Sequence, residues 1–133
     1  MKFFAITILM LFPLCLNAQQ PMSQEEQEKQ FREALDVQIE EYTKLLDLEY
    51  WQVFYLDSIM THDYTAMREE IQELSAAKVG NDEAYMRVQD KWMEQMYQSY
   101  KKVFTEEQWN KYLKAGAQRD KRNRDKREAK RMQ

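Results

Sequence analysis

Helix-breaking residues are almost absent from this sequence of 133 residues, and that scarcity restricts the class of fold. The chain has two glycines and two prolines, and most other positions hold good helix formers such as Glu, Gln, Lys, Arg, Met, Leu and Ala. Residues with β-branched side chains, which favour strands, are scarce. The composition therefore predicts an all-α fold.

Apolar residues recur every three or four positions and predict about four helices. The first helix begins at Ser23, which forms a capping box with Glu26, and it ends near Asp47. The second runs over about residues 50–78. At 1.5 Å per residue the second helix is a rod of ~40 Å, too long for an element of a compact globule.

A short turn follows the second helix and predicts that the next helix packs antiparallel to it. Gly80 is expected to adopt the left-handed conformation that ends a helix, and Asn81 to cap the next one. The third helix covers about residues 83–103, and a fourth begins at Thr105. The predicted architecture is an elongated antiparallel helical hairpin with short flanking helices, in a domain of residues 19–117.

The first eighteen residues have the features of a secretory signal peptide. Lys2 precedes an apolar run over residues 3–16, and Leu16-Asn17-Ala18 is a plausible cleavage site. The run is shorter than the ~20 residues of a membrane-spanning helix, and no later segment is apolar enough to span. We therefore expect an exported mature chain from Gln19, without Cys15, which is the sole cysteine.

The clearest local signal is a helix start at Phe104-Thr105-Glu106-Glu107-Gln108-Trp109. Thr105 occupies the N-cap, where its hydroxyl accepts from the amide of Gln108 and the Gln108 side chain reaches back to the amide of Thr105. Phe104 and Trp109 flank this capping box as a hydrophobic staple. These residues define both where the helix begins and how the chain enters it.

A second, degraded block has the same spacing upstream. Leu48, Glu49, Gln52 and Val53 occupy the positions of the apolar residue, the cap, the glutamine and the staple partner. Glu is a poorer N-cap than Thr. The upstream block is therefore expected to cap its helix less well.

Two such blocks in a small, helical, exported chain resemble the LTxxQ motif pair of the Spy/CpxP family, over about residues 46–113. Phe104 replaces the Leu of the second motif, and Glu49 replaces the Thr of the first. The resemblance implies a periplasmic chaperone or envelope-stress protein that binds unfolded proteins transiently and without ATP. The alternative functions are an adaptor for one specific envelope partner and a metal-responsive sensor.

Catalytic chemistry is not evident in the sequence, and we expect neither an enzyme nor a bound cofactor. The chain has one histidine, no cysteine after the signal peptide and no Gly-rich phosphate loop. His62-Asp63 is the one candidate for metal binding, but a metal site needs several converging ligands. We interpret His62 as a partly buried residue on a second apolar stripe of the second helix, with Trp51 and Tyr55.

Charge divides the chain into an acidic body and a basic polar tail over residues 118–133. Residues 19–110 hold nine Lys and Arg against twenty Asp and Glu, whereas residues 111–133 hold ten against three. Export argues against nucleic acid as a partner. The tail is either a solvated segment with nothing to bury or a contact for anionic surfaces, acidic proteins or the acidic body itself.

The third helix carries two adjacent apolar stripes, which are more than one neighbouring helix covers. If Val88 and Trp92 face the second helix, a separate stripe remains for a client protein or a second copy of the chain. Its residues are Met86, Met93, Tyr97 and Tyr100. The sequence therefore predicts that this stripe binds partners and that the protein is a homodimer.

Substitution of the two cap residues should distinguish the motif blocks. We expect Thr105→Ala to lower the free energy of unfolding by ~1 kcal/mol, the usual loss for an N-cap. Glu49→Ala should cost less, because Glu caps poorly. Urea melts measure both, and equal losses would contradict this ranking.

Overall fold

The computed structural model describes residues 21–133, and most of them are helical. The helices in order are α1 (Gln24–Leu46), α2 (Tyr50–Ala76), α3 (Asp82–Val103), α4 (Glu106–Tyr112) and α5 (Gln118–Arg131), with a kinked segment at Leu113–Ala117 between the last two. The predicted all-α fold of about four helices is confirmed. The predicted signal peptide, residues 1–18, lies outside the described residues.

Helices α2 and α3 form the predicted antiparallel hairpin. Gln95 Nε2 donates to Asp63 Oδ1 at 3.1 Å in the middle of the pair. Lys91 Nζ lies 2.5 Å from Glu70 Oε1 nearer the connecting turn. Contacts from lower-numbered residues of α3 to higher-numbered residues of α2 require opposite helix directions.

The turn between these helices differs from the prediction in one residue. Asn81 caps α3 as expected, with its side-chain oxygen accepting from the Glu83 amide at 3.0 Å. The left-handed conformation, however, falls on Lys78 (φ 54°) and not on Gly80. The reason is that α2 ends at Ala76, earlier than predicted, which places Lys78 at the position just past the helix cap.

The apolar stripes predicted for α1 and α2 form the core with α3. Leu56 and Met60 of α2 have no solvent exposure. The other members of this core include Leu35, Ile39, Leu46, Met96, Tyr100, Phe104 and Tyr112. Helix α1 lies antiparallel to α2, since Arg32 reaches Asp57 while Arg68 reaches Glu28.

Both motif blocks are formed at helix starts. The Thr105 hydroxyl accepts from the Gln108 amide at 3.3 Å, and Gln108 Oε1 accepts from the Thr105 amide at 2.9 Å. Gln52 Oε1 likewise accepts from the Glu49 amide at 2.9 Å, while the Glu49 carboxylate accepts from the Trp51 indole at 2.7 Å. The capping box at Thr105 is therefore complete, whereas at Glu49 the bond from the backbone amide to Gln52 is present and the carboxylate binds Trp51 instead.

The two glutamines also bind each other, which local spacing did not predict. Gln52 Nε2 donates to Gln108 Oε1 at 2.7 Å, and Gln108 Nε2 donates to Gln52 Oε1 at 3.1 Å. Each amide also reaches the carbonyl just before the other block: Gln52 to Val103 at 3.0 Å and Gln108 to Asp47 at 3.4 Å. This reciprocal arrangement, the glutamine pair, joins the start of α2 to the start of α4.

The basic tail is an ordered helix that packs antiparallel to α3. Arg127 forms a two-bond contact with Asp90, at 2.6 and 2.8 Å, and Arg131 binds Asp90 at 2.9 Å and also Glu83. Arg124, which is buried, binds Glu94 at 3.3 Å. The prediction that the tail has nothing to bury is therefore wrong, and its acidic partner is the body of the same chain.

The chain reaches this position by a sharp change of direction at Gly116. Its φ of 136° breaks the helical path between α4 and α5, and a residue with a Cβ rarely adopts that angle. This bend separates α4, which packs on α1, from α5, which packs on α3. The glycine therefore permits the tail to return along the body.

Ion pairing sets the ionisation of the acidic residues under α5. Burial alone would raise the pKa of Asp90, but the hydrogen bonds and charges of Arg127 and Arg131 outweigh it and hold that pKa below the ordinary value. The pKa of Glu94 is also lowered, since bonds from Gln98 and Lys121 overcome its partial burial. Both carboxylates are thus stabilised in their charged form.

Removal of the glutamine pair should destabilise the fold. Gln52→Ala leaves the Gln108 amide and the Val103 carbonyl without their partner in a buried setting, so we expect a loss of ~2–3 kcal/mol. The double variant with Gln108→Ala should lose less than the sum of the single losses by ~1 kcal/mol, because the residues share bonds. Denaturant melts measure the cycle, with Gln72→Ala, an exposed position, as a near-neutral control. Additive losses would contradict direct coupling.

Acidification should release α5. A carboxyl whose folded pKa lies below its ordinary value of 3.8 stabilises the fold above that pH, and the contribution is lost as pH falls through the folded pKa. We therefore expect the melting temperature to decrease when the pH is lowered below about 4. Asp90→Asn should lower the melting temperature at neutral pH and should make the melting temperature less dependent on pH. The exposed Asp125→Asn should have neither effect. An unchanged acid dependence in Asp90→Asn would contradict this role.

Candidate functional site

Four large aromatic side chains are exposed on the first two turns of α2. They are Tyr50, Trp51, Phe54 and Tyr55, with exposed fractions of 91%, 49%, 64% and 53%. Their spacing of one and four residues places them on adjoining positions of one helical surface. We call this surface the aromatic face. It differs from isolated exposed apolar residues because its members adjoin one another.

Three of the four rings of the aromatic face contact one another. Trp51 and Tyr55 pack edge to face with centroids 6.2 Å apart, and Phe54 and Tyr55 do so at 5.8 Å. The Glu49 carboxylate holds the Trp51 indole through its N–H. The first motif block therefore positions one ring of the face as well as the start of the helix.

This exposure differs from the expectation that Trp51 and Tyr55 share a partly buried stripe of α2 with His62. Leu56 and Met60 face the core, whereas Trp51 and Tyr55 remain substantially exposed. Packing on the core side buries the first stripe and leaves the second to solvent within the described chain. A contiguous exposed apolar surface of this kind commonly marks a binding site.

The stripe predicted on α3 is, by contrast, largely covered. Tyr100 is 3% exposed and lies in the core, and Met93 and Tyr97 pack against that core. Of the four predicted partner-binding residues only Met86 is exposed, at 40%. The prediction of a bare stripe is wrong because α4 and α5 cover it.

The covering contacts are within one chain. The Tyr97 ring lies 4.9 Å from the Trp109 ring of α4, and Lys121 and Arg124 of α5 lie over it at 5.7 and 5.5 Å from its centroid. The excess apolar surface of α3 therefore does not require a second copy. The homodimer stays a prediction, and its contact would have to lie on a surface other than this stripe of α3.

His62 is exposed, not partly buried as predicted. Its side chain is 73% exposed, and Nδ1 lies 2.7 Å from Oδ1 of the buried Asp63. Gln95 donates to the same carboxylate oxygen. Within residues 21–133, no three His, Cys, Asp or Glu side chains are arranged to hold a metal ion.

The outer surface of α5 remains available to anionic partners. Lys121, Arg124, Arg127 and Arg131 face α3 and bind its carboxylates. The exposed basic residues of the helix are Arg119, Arg122, Lys126 and Lys130. Basic charge is thus divided between a contact with the body and an outward surface.

No helix within residues 21–133 combines the length and apolar character that crossing a membrane requires. Comparison of the chain with known protein families, with curated proteins and with solved structures gives no match.

Proposed function

We propose that this protein is an exported, Spy/CpxP-like chaperone or envelope-stress protein that binds unfolded proteins in the periplasm without ATP. The observation that carries the proposal is the aromatic face, where four large rings are exposed side by side. The paired motif blocks and the expected signal peptide support the family and the compartment. Unfolded envelope proteins are the proposed partners.

The composition of the face suits weak contact with varied apolar segments. Trp and Tyr bury a large apolar area and retain a polar group that tolerates water. The Tyr50 ring is almost fully exposed, so it can contact a client without prior rearrangement of the fold. Binding then consists of burying apolar client surface against rings that are already in place.

The surrounding charge favours release and solubility over tight capture. The body that carries the face is strongly acidic, and acidic side chains help to keep a protein with an exposed apolar surface in solution. Binding without ATP is what the resemblance to the Spy/CpxP family implies. The predicted result is transient protection of clients against aggregation.

An aggregation assay tests the proposal directly. Reduced α-lactalbumin serves as the unfolded protein, and light scattering follows its aggregation with increasing amounts of the mature chain. We expect suppression by the wild type, and at least about twofold weaker suppression by Phe54→Ser combined with Tyr55→Ser, because the face loses two rings. Circular dichroism should show unchanged helicity, since both residues are exposed.

The matched control replaces exposed apolar residues elsewhere. Val37→Ser combined with Met132→Ser removes side chains that are 57% and 81% exposed and should leave suppression unchanged. Absence of suppression by the wild type would overturn the chaperone and favour an adaptor for one partner. Sedimentation of both double variants tests a homodimer through the face: loss of dimer only in Phe54→Ser/Tyr55→Ser would place the dimer contact there.

A further inference from the structure

A half-open cavity of about 480 Å³ lies where α1, α2 and α3 meet the kinked segment Leu113–Ala117 and the start of α5. Ligand sites in proteins commonly have volumes of ~300–1,000 Å³. Its apolar wall includes Met93, Met96 and the ring of Tyr97, and its rim includes Gly116. Met93, Tyr97 and Tyr100, three of the residues predicted to bind a partner on an open stripe, therefore line this cavity.

Besides Tyr97, four more tyrosines line the cavity and form its polar wall. They are Tyr42, Tyr64, Tyr100 and Tyr112. The rings of Tyr42, Tyr100 and Tyr112 pack edge to face with centroids 5.7–6.2 Å apart. Burial raises the pKa of Tyr64 to about 12 and also raises that of Tyr100, so the phenols remain protonated donors at neutral pH.

The hydroxyl groups of this wall make no hydrogen bond to another side chain or carbonyl within residues 21–133. None of the four oxygens belongs to the fully buried, unbonded atoms of these residues, so each can be reached from the cavity. The four phenols are therefore available to a molecule that enters it.

The rim of the cavity is cationic. Four basic side chains line it, from Lys114, Arg119, Arg122 and Arg124, against one acidic side chain, that of Asp120. Arg124 is committed to Glu94 and Arg119 lies 3.5 Å from Asp120. Lys114 and Arg122, both exposed, form no ion pair within the described chain. Two unpaired cations thus border an aromatic cavity with neutral phenol donors.

We propose that this cavity binds an amphiphilic organic anion, a carboxylate with an apolar acyl or aromatic body. The apolar body lies against the tyrosine rings and Met96, and the carboxylate accepts from phenol hydroxyls and pairs with the rim cations at Arg122 and Lys114. Neutral donors and cations are the groups that a carboxylate requires. This site is separate from the aromatic face and does not depend on the function proposed for that face.

Calorimetric titration with two acids and two neutral analogues tests the site. Decanoate is a carboxylate with an acyl body, and 2-naphthoate is a carboxylate with an aromatic body. Decanol and 2-naphthol are the corresponding neutral analogues without the carboxylate. We expect saturable binding of at least one acid in a one-to-one complex, at least about threefold tighter than its neutral analogue. The acid that binds more tightly shows whether the ligand has an acyl or an aromatic body.

Matched variants locate the binding. Arg122→Gln should weaken binding at least about threefold, whereas Lys126→Gln, on the same helix but outside the cavity, should not. Tyr100→Phe should weaken it while preserving the fold, because the hydroxyl makes no internal bond, and the exposed Tyr55→Phe serves as its control. No saturable binding, equal binding of acid and neutral analogue, or equal affinity of all variants would each overturn the proposal.

Discussion

The glutamine pair is the interaction on which the remaining structure depends. One buried amide pair connects the starts of α2 and α4, caps both helices and binds the carbonyls of Asp47 and Val103. The chain therefore enters α2 and α4 in fixed directions at the same end of the bundle. A buried amide is costly unless its donors and acceptors are bonded, and here each glutamine serves its own helix and the other block.

The fixed entry of α4 has consequences for the rest of the fold. Tyr112 is brought against Tyr42 and Tyr100, and the bend at Gly116 then turns α5 back along α3. Helix α5 has almost no apolar residues, so its contact with the body depends on ion pairs to Asp90, Glu94 and Glu83. Partly buried pairs of this kind are more sensitive to acid and salt than an apolar interface.

Two kinds of aromatic surface result from this arrangement. The rings near Tyr100 are enclosed by α4 and α5 and surround a cavity, whereas the rings at the start of α2 remain in contact with solvent. Exposure of Tyr50 and Phe54 gives up the free energy that burial of each ring would supply, on the order of 2 kcal/mol. The proposed binding of unfolded proteins would recover part of that free energy in the complex.

The helices and their starts follow from local sequence features. The scarcity of glycine and proline, the capping boxes at Ser23 and Thr105, and the cap at Asn81 are local features, so local spacing was sufficient to predict them. The apolar stripes of α1 and α2 predicted the core for the same reason, since helical periodicity decides which residues share a side.

Which apolar stripes are covered depends on how the helices pack against each other in the folded chain. Tyr100 is buried and Tyr97 is partly buried, whereas Trp51 and Tyr55 are exposed, although all four lie on similar stripes of similar helices. The difference arises because α5 returns along α3, a consequence of the bend at Gly116 and of charges on two helices far apart in the chain. Likewise, Gln52 and Gln108 are 56 residues apart in the chain. The periodicity of a single helix cannot predict a hydrogen bond between them. Long-range contacts of this kind depend on the packed fold as a whole.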